Sequence, residues 1–226
     1  MKLKNFNNLL DLFFDQYNKQ DKNKIFLTNL GNPKHKLSWE KTYLTVNHLS
    51  NNISKDIKLG DRCILISENR PEWFISDLAI MLAGGISVPS YTTYTTKDYE
   101  YIINDCEPSI VIVSNDDQFK KIKDILDYKK IKKIISFDRL ENLQFENYLC
   151  IEDIINKNDN FENFDNEISL KRSDPACIIY TSGTQGNPKG VILSHGGILS
   201  NCEGGYELLK SIISKDMKFL LSLIHI

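Results

Sequence analysis

The residues best suited to chemistry stand together in Tyr180-Thr181-Ser182-Gly183-Thr184-Gln185-Gly186-Asn187-Pro188-Lys189-Gly190. Gly183, Gly186 and Gly190 let backbone N–H groups converge on one point, the hydroxyls of Thr181, Ser182 and Thr184 add donors, and Lys189 adds a mobile positive charge. Such a loop suits oxyanions, and a polyphosphate is its natural ligand. The pattern G-x-x-x-x-G-K-[ST] does not fit, because Pro188 stands five residues after Gly183 and Gly190 follows Lys189. With that spacing absent and no kinase signature in the chain, a P-loop kinase or GTPase is set aside. A ligand-free surface hairpin would account for the glycines and threonines alone, but less well for their occurrence with a lysine. The sequence nominates no catalytic residue and no metal ligand. His195, after Ser194, has no acid or nucleophile beside it and is read as a structural residue at the start of a helix.

The flanking pattern says what must position this loop. Trp39, Tyr43, Val46, Leu49, Ile53 and Ile57 recur at helical spacing, and Gly60 can end that helix. A strand is expected over residues 62–67, a helix opened by Pro71 over 71–83, and a strand over 86–88 after Gly84-Gly85. Thr96 is expected to cap a helix to Asp105 that turns Tyr99, Ile102 and Ile103 inward, before a buried strand over 110–113. Residues 119–126 read as helix, 131–137 and 177–180 as strands, and 139–173 as a polar surface excursion with a weak helical pattern near 151–155. A last helix, 196–213, carries Ile198, Leu199, Cys202, Tyr206 and Leu209 on a face expected to pack in the core. This alternation predicts an α/β fold with a mostly parallel or mixed sheet flanked by helices.

Bulk properties exclude more than they suggest. The 226 residues carry 28 Lys plus Arg against 30 Asp plus Glu, a formal charge of -2 that offers nothing to nucleic acid or an anionic membrane. The five cysteines are widely spaced with no C-x-x-C pair, so they are expected to be reduced and mostly buried. The first residues lack an apolar leader pattern, and the most apolar window, 74–88, is too short to span a bilayer, so a cytoplasmic protein is expected.

The 180–190 segment closely resembles the signature of the adenylate-forming superfamily, Tyr-Thr-Ser-Gly-Thr-Thr-Gly-x-Pro-Lys-Gly followed by Ser/Thr-His. Ser194-His195 supply the last pair, and Gln185 stands where the family commonly has Thr. Gly60-Asp61-Arg62, Ser67-Glu68-Asn69-Arg70-Pro71-Glu72-Trp73 and Ala83-Gly84-Gly85-Ile86-Ser87-Val88-Pro89 further resemble blocks of the long-chain fatty acid CoA ligases. In the second block Pro71, Glu72 and Trp73 are expected to serve structure: first helical turn, favourable charge at the helix start, buried anchor.

The resemblance implies ATP-dependent activation of a fatty acid to acyl-adenylate and then to acyl-CoA, with ATP, Mg2+ and CoA as cofactors. It implies phosphate contacts from Thr181, Ser182, Gly183, Thr184, Gly186, Lys189 and Gly190. It also implies further motifs beyond Ile226, so residues 1–226 are expected to be an incomplete N-terminal AMP-binding domain, inactive alone. His225 is set beside an acyl-pocket histidine of the family. The other readings are a different acyl- or aryl-activating ligase and an ATP-binding remnant without acyl transfer. The substrates would bring the complete enzyme near lipid, as a peripheral contact, although no basic amphipathic helix marks one here.

Overall fold

The computed structural model describes residues 3–29, 31–32, 34–156, 169–181 and 188–212. A short 3-10 turn, Leu3–Asn5, precedes α1 (Leu9–Lys19), then β1 (Ile25–Thr28), β2 (Lys36–Ser38) and α2 (Trp39–Ser54). The alternating part comes next as β3 (Arg62–Ile66), α3 (Pro71–Leu82), β4 (Ile86–Ser90), α4 (Thr96–Cys106), β5 (Ile110–Val113), α5 (Asp116–Lys120), β6 (Lys133–Ser136) and β7 (Tyr148–Cys150). The described chain continues through α6 (Ile151–Asn156), β8 (Pro175–Thr181), β9 (Lys189–Ser194) and α7 (His195–Leu209).

Seven strands form one sheet in the order β7-β6-β5-β3-β4-β8-β9, parallel throughout except for the antiparallel β8–β9 pair. This is the α/β class expected from the alternation. The chain steps from β3 to β4 in one direction, then returns past β3 to β5. Right-handed crossovers therefore place α3 and α4 on opposite faces. Two apolar cores result. Cys63, Leu65, Ile110 and Ile112 face the layer of α1, α2, α3 and α6, whereas Ile64, Ile66, Val111 and Val113 face Tyr99, Ile102 and Phe119 from α4 and α5. Both faces of these strands are covered, which is why they read as unbroken apolar runs and not as alternation.

Local chemistry sets most boundaries. Gly60 takes φ +86, a left-handed turn open to glycine, and its N–H bonds Gly84 O at 2.8 Å. Pro71 opens α3 as expected, and Glu72 beside it is buried. Arg70 donates to Glu72 at 3.2 Å and grips Asp138 through both terminal nitrogens at 2.7 and 2.8 Å, tying the end of β3 to the end of β6. Trp73 is buried too.

Four expectations need correction. The cap of α4 is Thr95, not Thr96: its hydroxyl accepts from Asp98 N–H while Asp98 accepts from Thr95 N–H, a reciprocal capping box. The helix expected over 119–126 is α5, which starts earlier because Asn115 caps it, and Ile122 and Leu126 reach the core from the turns beyond. The polar stretch after Arg139 contains β7, paired with β6, and α6; residues 157–168 lie outside the described part. The expected core face of α7 is incomplete: Leu199 is buried and Ile198 packs on the core, but Cys202, Tyr206 and Leu209 are exposed. The β1–β2 hairpin was not foreseen; Phe26 fixes it by stacking on Trp39 with ring centroids 3.7 Å apart. All five cysteines are free, four of them buried, as expected.

One charged group strains this packing. Asp77 of α3 lies beside Ser87 of β4 and Cys177 of β8, which face each other in register. Burial pushes its carboxyl up to about 6, with the Ser87 hydroxyl working the other way. Its folded pKa exceeds the ordinary carboxylate value of about 4, so the folded state holds the proton longer, and stability is lost as pH rises through that window. Asp77→Asn is expected to raise the melting temperature at pH 7.5 by about 2–5 °C and to flatten the decline between about pH 4 and 7. Calorimetry showing the parent midpoint and slope retained would refute this account.

Candidate phosphate-binding hairpin

β8 runs parallel to β4 and ends at the same edge of the sheet as β3, β4, β5 and β6. In open α/β sheets this carboxyl edge is where ligands bind. β9 returns antiparallel along β8, with Tyr180 opposite Gly190 and Thr181 opposite Lys189. The chain between Thr181 and Lys189 is therefore closed at its base by a strand pair. Of the expected phosphate contacts, the structure brings Thr181, Lys189 and Gly190 together at this base; Ser182, Gly183, Thr184 and Gly186 lie outside the described residues, as does His225.

Lys189 is exposed, and its ammonium group has no hydrogen-bond or ion-pair partner among the described residues. That leaves its charge available to an anion at the mouth of the hairpin. Gly190 is required by close approach. A Cβ there would stand 2.9 Å from Ile178 Cγ2 and 3.2 Å from Tyr180 Cζ, so the tyrosine ring lies across the glycine. Tyr180 is itself buried, and its hydroxyl donates to Asp105 Oδ2 of α4 at 2.5 Å. Burial and this carboxylate push the phenol well above its ordinary range, so it remains a donor. Tyr94, from the loop after β4, donates to the Tyr180 carbonyl at 3.3 Å. Neither Asp105 nor Tyr94 was singled out from the sequence. Asp105 lies 75 residues before Tyr180, and only the sheet order brings the two together.

Beyond β9, Ser194 caps α7 by accepting from Gly197 N–H at 3.1 Å. His195 is fully buried; its Nδ1 accepts from Leu9 N–H at 3.4 Å, while its Nε2 is buried without a hydrogen-bond partner among the described residues. This contact joins the start of α7 to the start of α1, a placement in keeping with a structural role for His195.

The sequence profile of the AMP-binding enzyme family matches residues 13–226. The chain belongs to this family. Long-chain-fatty-acid–CoA ligase ACSBG2 of Xenopus laevis is 32% identical over 195 residues, covering 83% of this chain and 26% of that protein. ACSBG1 of Rattus norvegicus, of the same description, is 31% identical over 175 residues, covering 73% of this chain and 24% of that protein. The chain thus spans about a quarter of the length of these curated relatives. Among solved structures, a putative long-chain-fatty-acid CoA ligase from Rhodopseudomonas palustris aligns with a TM-score of 0.73 at 18% identity, over 90% of this chain and 48% of the other. The anthranilate CoA ligase AuaEII, in complex with anthranoyl-AMP, aligns at 0.69 and 23% over 86% of this chain and 36% of its own. At these identities the likeness speaks for the fold. Among the described residues no helix is long and apolar enough to cross a membrane.

The close contact at Gly190 and the buried imidazole of His195 each have a measurable consequence. Gly190→Ala must displace the Tyr180 ring or part β8 from β9, and is expected to destabilise the chain by about 1–3 kcal/mol in urea unfolding; a wild-type midpoint would show the ring does not lie there. Burial lowers the His195 pKa below the ordinary imidazole value, although Asp174 and Asp11 pull upward. The folded state thus favours the neutral ring, and the stability it contributes is present above about pH 6.5 and lost as pH falls. His195→Asn keeps an acceptor and has no charged form. Relative to this variant, the parent's melting temperature is expected to fall between about pH 7.5 and 5.5; parallel curves would contradict the assignment.

Proposed function

We propose that this chain supplies the ATP-phosphate part of a long-chain fatty acid CoA ligase. The observation that carries the reading is the hairpin closed by Thr181 and Lys189 at the carboxyl edge of the sheet, with a lysine at its mouth that is unpaired among the described residues. Family membership and the names of the curated relatives support the fatty acyl substrate.

In this reading the substrates of the whole protein are a fatty acid, ATP and CoA. A fatty acid carboxylate oxygen attacks the α-phosphorus of ATP, the bond to the bridging oxygen breaks, and pyrophosphate leaves with the electron pair. The CoA sulfur, losing its proton, then attacks the acyl carbon and expels AMP. This chain's residues do no covalent work: Ser182, Thr184 and Thr181 donate hydrogen bonds to phosphate oxygens, Lys189 neutralises charge, and Gly183, Gly186 and Gly190 let the backbone approach. Mg2+ would accompany the polyphosphate and help to neutralise its charge, none of these residues being a carboxylate that could hold it. Free thiols throughout are consistent with a cytoplasmic setting.

The test is fatty-acid-dependent exchange of labelled pyrophosphate into ATP by the whole protein, with palmitate, octanoate, benzoate and no acid compared. Exchange with benzoate alone would make it an aryl-activating ligase; ATP binding without exchange would make it a nucleotide-binding module. Lys189→Ala is expected to weaken ATP binding roughly tenfold to a hundredfold, the value of a hydrogen bond to a charged group. Unchanged affinity on titration would remove Lys189 from the site.

A further inference from the structure

We propose that Asp105 is a positioning residue for the phosphate site: by accepting the Tyr180 hydroxyl it holds the ring across Gly190 and fixes where Thr181 and Lys189 stand. The inference rests on the phosphate-binding reading and adds to it a residue outside the loop.

The tyrosine is held at both ends by one segment. Its hydroxyl is bonded to Asp105 at 2.5 Å and its carbonyl to the Tyr94 hydroxyl at 3.3 Å, and both partners come from the stretch after β4. Between those ends the buried ring belongs to the apolar cluster of Val88, Tyr99 and Ile102, with Ile178 packed against it. Tyr180 pairs with Gly190, one step from the Thr181–Lys189 pair. A side chain fixed at hydroxyl, ring and carbonyl cannot rotate about its strand, so the orientation of the next pair is set with it. A bond to a carboxylate is of the short, strong kind, and the exposure of Asp105 spares it the cost of a buried charge. Exposure also separates this role from simple stability. Removing the Asp105 carboxylate leaves both apolar cores intact and loosens only the base of the hairpin. Tyr94 meets Tyr91 and Tyr99 edge-on at 5.3 and 5.9 Å, which holds its own hydroxyl in place.

The experiment compares the whole protein, as parent, with its Asp105→Ala, Asp105→Asn and Tyr180→Phe variants in three readouts: melting temperature, amide hydrogen exchange across residues 178–181 and 189–192, and affinity for inorganic pyrophosphate and ATP with Mg2+. Asp105→Ala and Tyr180→Phe are expected to speed exchange at the hairpin base and weaken pyrophosphate binding about tenfold, with the melting temperature nearly unchanged. Asp105→Asn, whose amide oxygen still accepts the hydroxyl, is expected to recover most of both. A parent that binds pyrophosphate, with variants that exchange and bind as it does, overturns the role of Asp105 and leaves the phosphate site standing. Weakened binding in Asp105→Ala that Asp105→Asn fails to restore overturns the hydrogen bond as its cause. A parent that binds neither ligand overturns the phosphate reading, and the role assigned here falls with it even if exchange at the base responds.

Discussion

β8 is bonded in two directions at once, and the site depends on that double pairing. Its parallel contact with β4 sends its last residue to the edge where β3, β5 and β6 also end. Its antiparallel contact with β9 brings Lys189 back to the same edge, opposite Thr181. Had the next strand been parallel, a crossover of a dozen or more residues would have carried it to the far end of the sheet before it could start. A single reversal of strand direction thus brings Thr181 and Lys189, which flank the run of glycines and hydroxyls in the sequence, opposite each other at one edge of the sheet.

An edge hairpin needs support from behind, and the termini of the described part provide it. β9 pairs with β8 alone among the described strands, and Val191 and Ile192 are exposed. The start of α7, by contrast, is firmly tied. The guanidinium of Arg172 donates to Phe6 O at 2.7 Å and to Gly196 O at 3.4 Å, Asn8 donates to Leu170 O at 3.0 Å, and Leu9 N–H meets the buried His195 ring. The Arg172–Phe6 and Asn8–Leu170 bonds join residues 166 and 162 positions apart. The entropy of closing such a loop grows only slowly with its length, so a few directional bonds and the packing of α1 suffice to hold it. The start of the chain therefore braces the helix that succeeds the β8–β9 pair.

How far the sequence discloses this architecture depends on whether a feature is local. Buried strands such as Ile110-Val111-Ile112-Val113 and the Pro71 helix start are written in neighbouring residues, and the structure has them where the pattern puts them, whereas α2 stops at Ser54, before Ile57 and before the Gly60 expected to end it. Boundaries set by competition between equivalent caps are less legible. Thr95 and Thr96 offer the same hydroxyl, and the choice falls to whichever stands three residues before Asp98. The face of α7 misled for a different reason: apolar spacing reports what a helix can bury, and only Leu199 and Ile198 meet the core here. Within the candidate site, the loop stands out in the sequence because its residue types are contiguous, and the described residues show its base alone, Thr181 opposite Lys189. The meeting of Tyr94, Asp105 and Tyr180 was not, because it arises only after β8 has settled beside β4, and no spacing in the chain encodes that adjacency.

The near balance of charge gives this arrangement its meaning. With a formal net charge of -2 these 226 residues exert no long-range attraction on a polyphosphate. Any preference for one must come from donors fixed at short range, and these stabilise a developing charge best when nothing has to reorganise to meet it. The described base of the hairpin divides that labour. Tyr180 packs closely over Gly190, whereas Lys189, exposed and unpaired among the described residues, keeps a charge that in the proposed reading serves a phosphate. Rigidity in the strand pair and freedom in one side chain are different requirements, and the sequence meets them with a buried tyrosine and an exposed lysine on opposite strands of one hairpin.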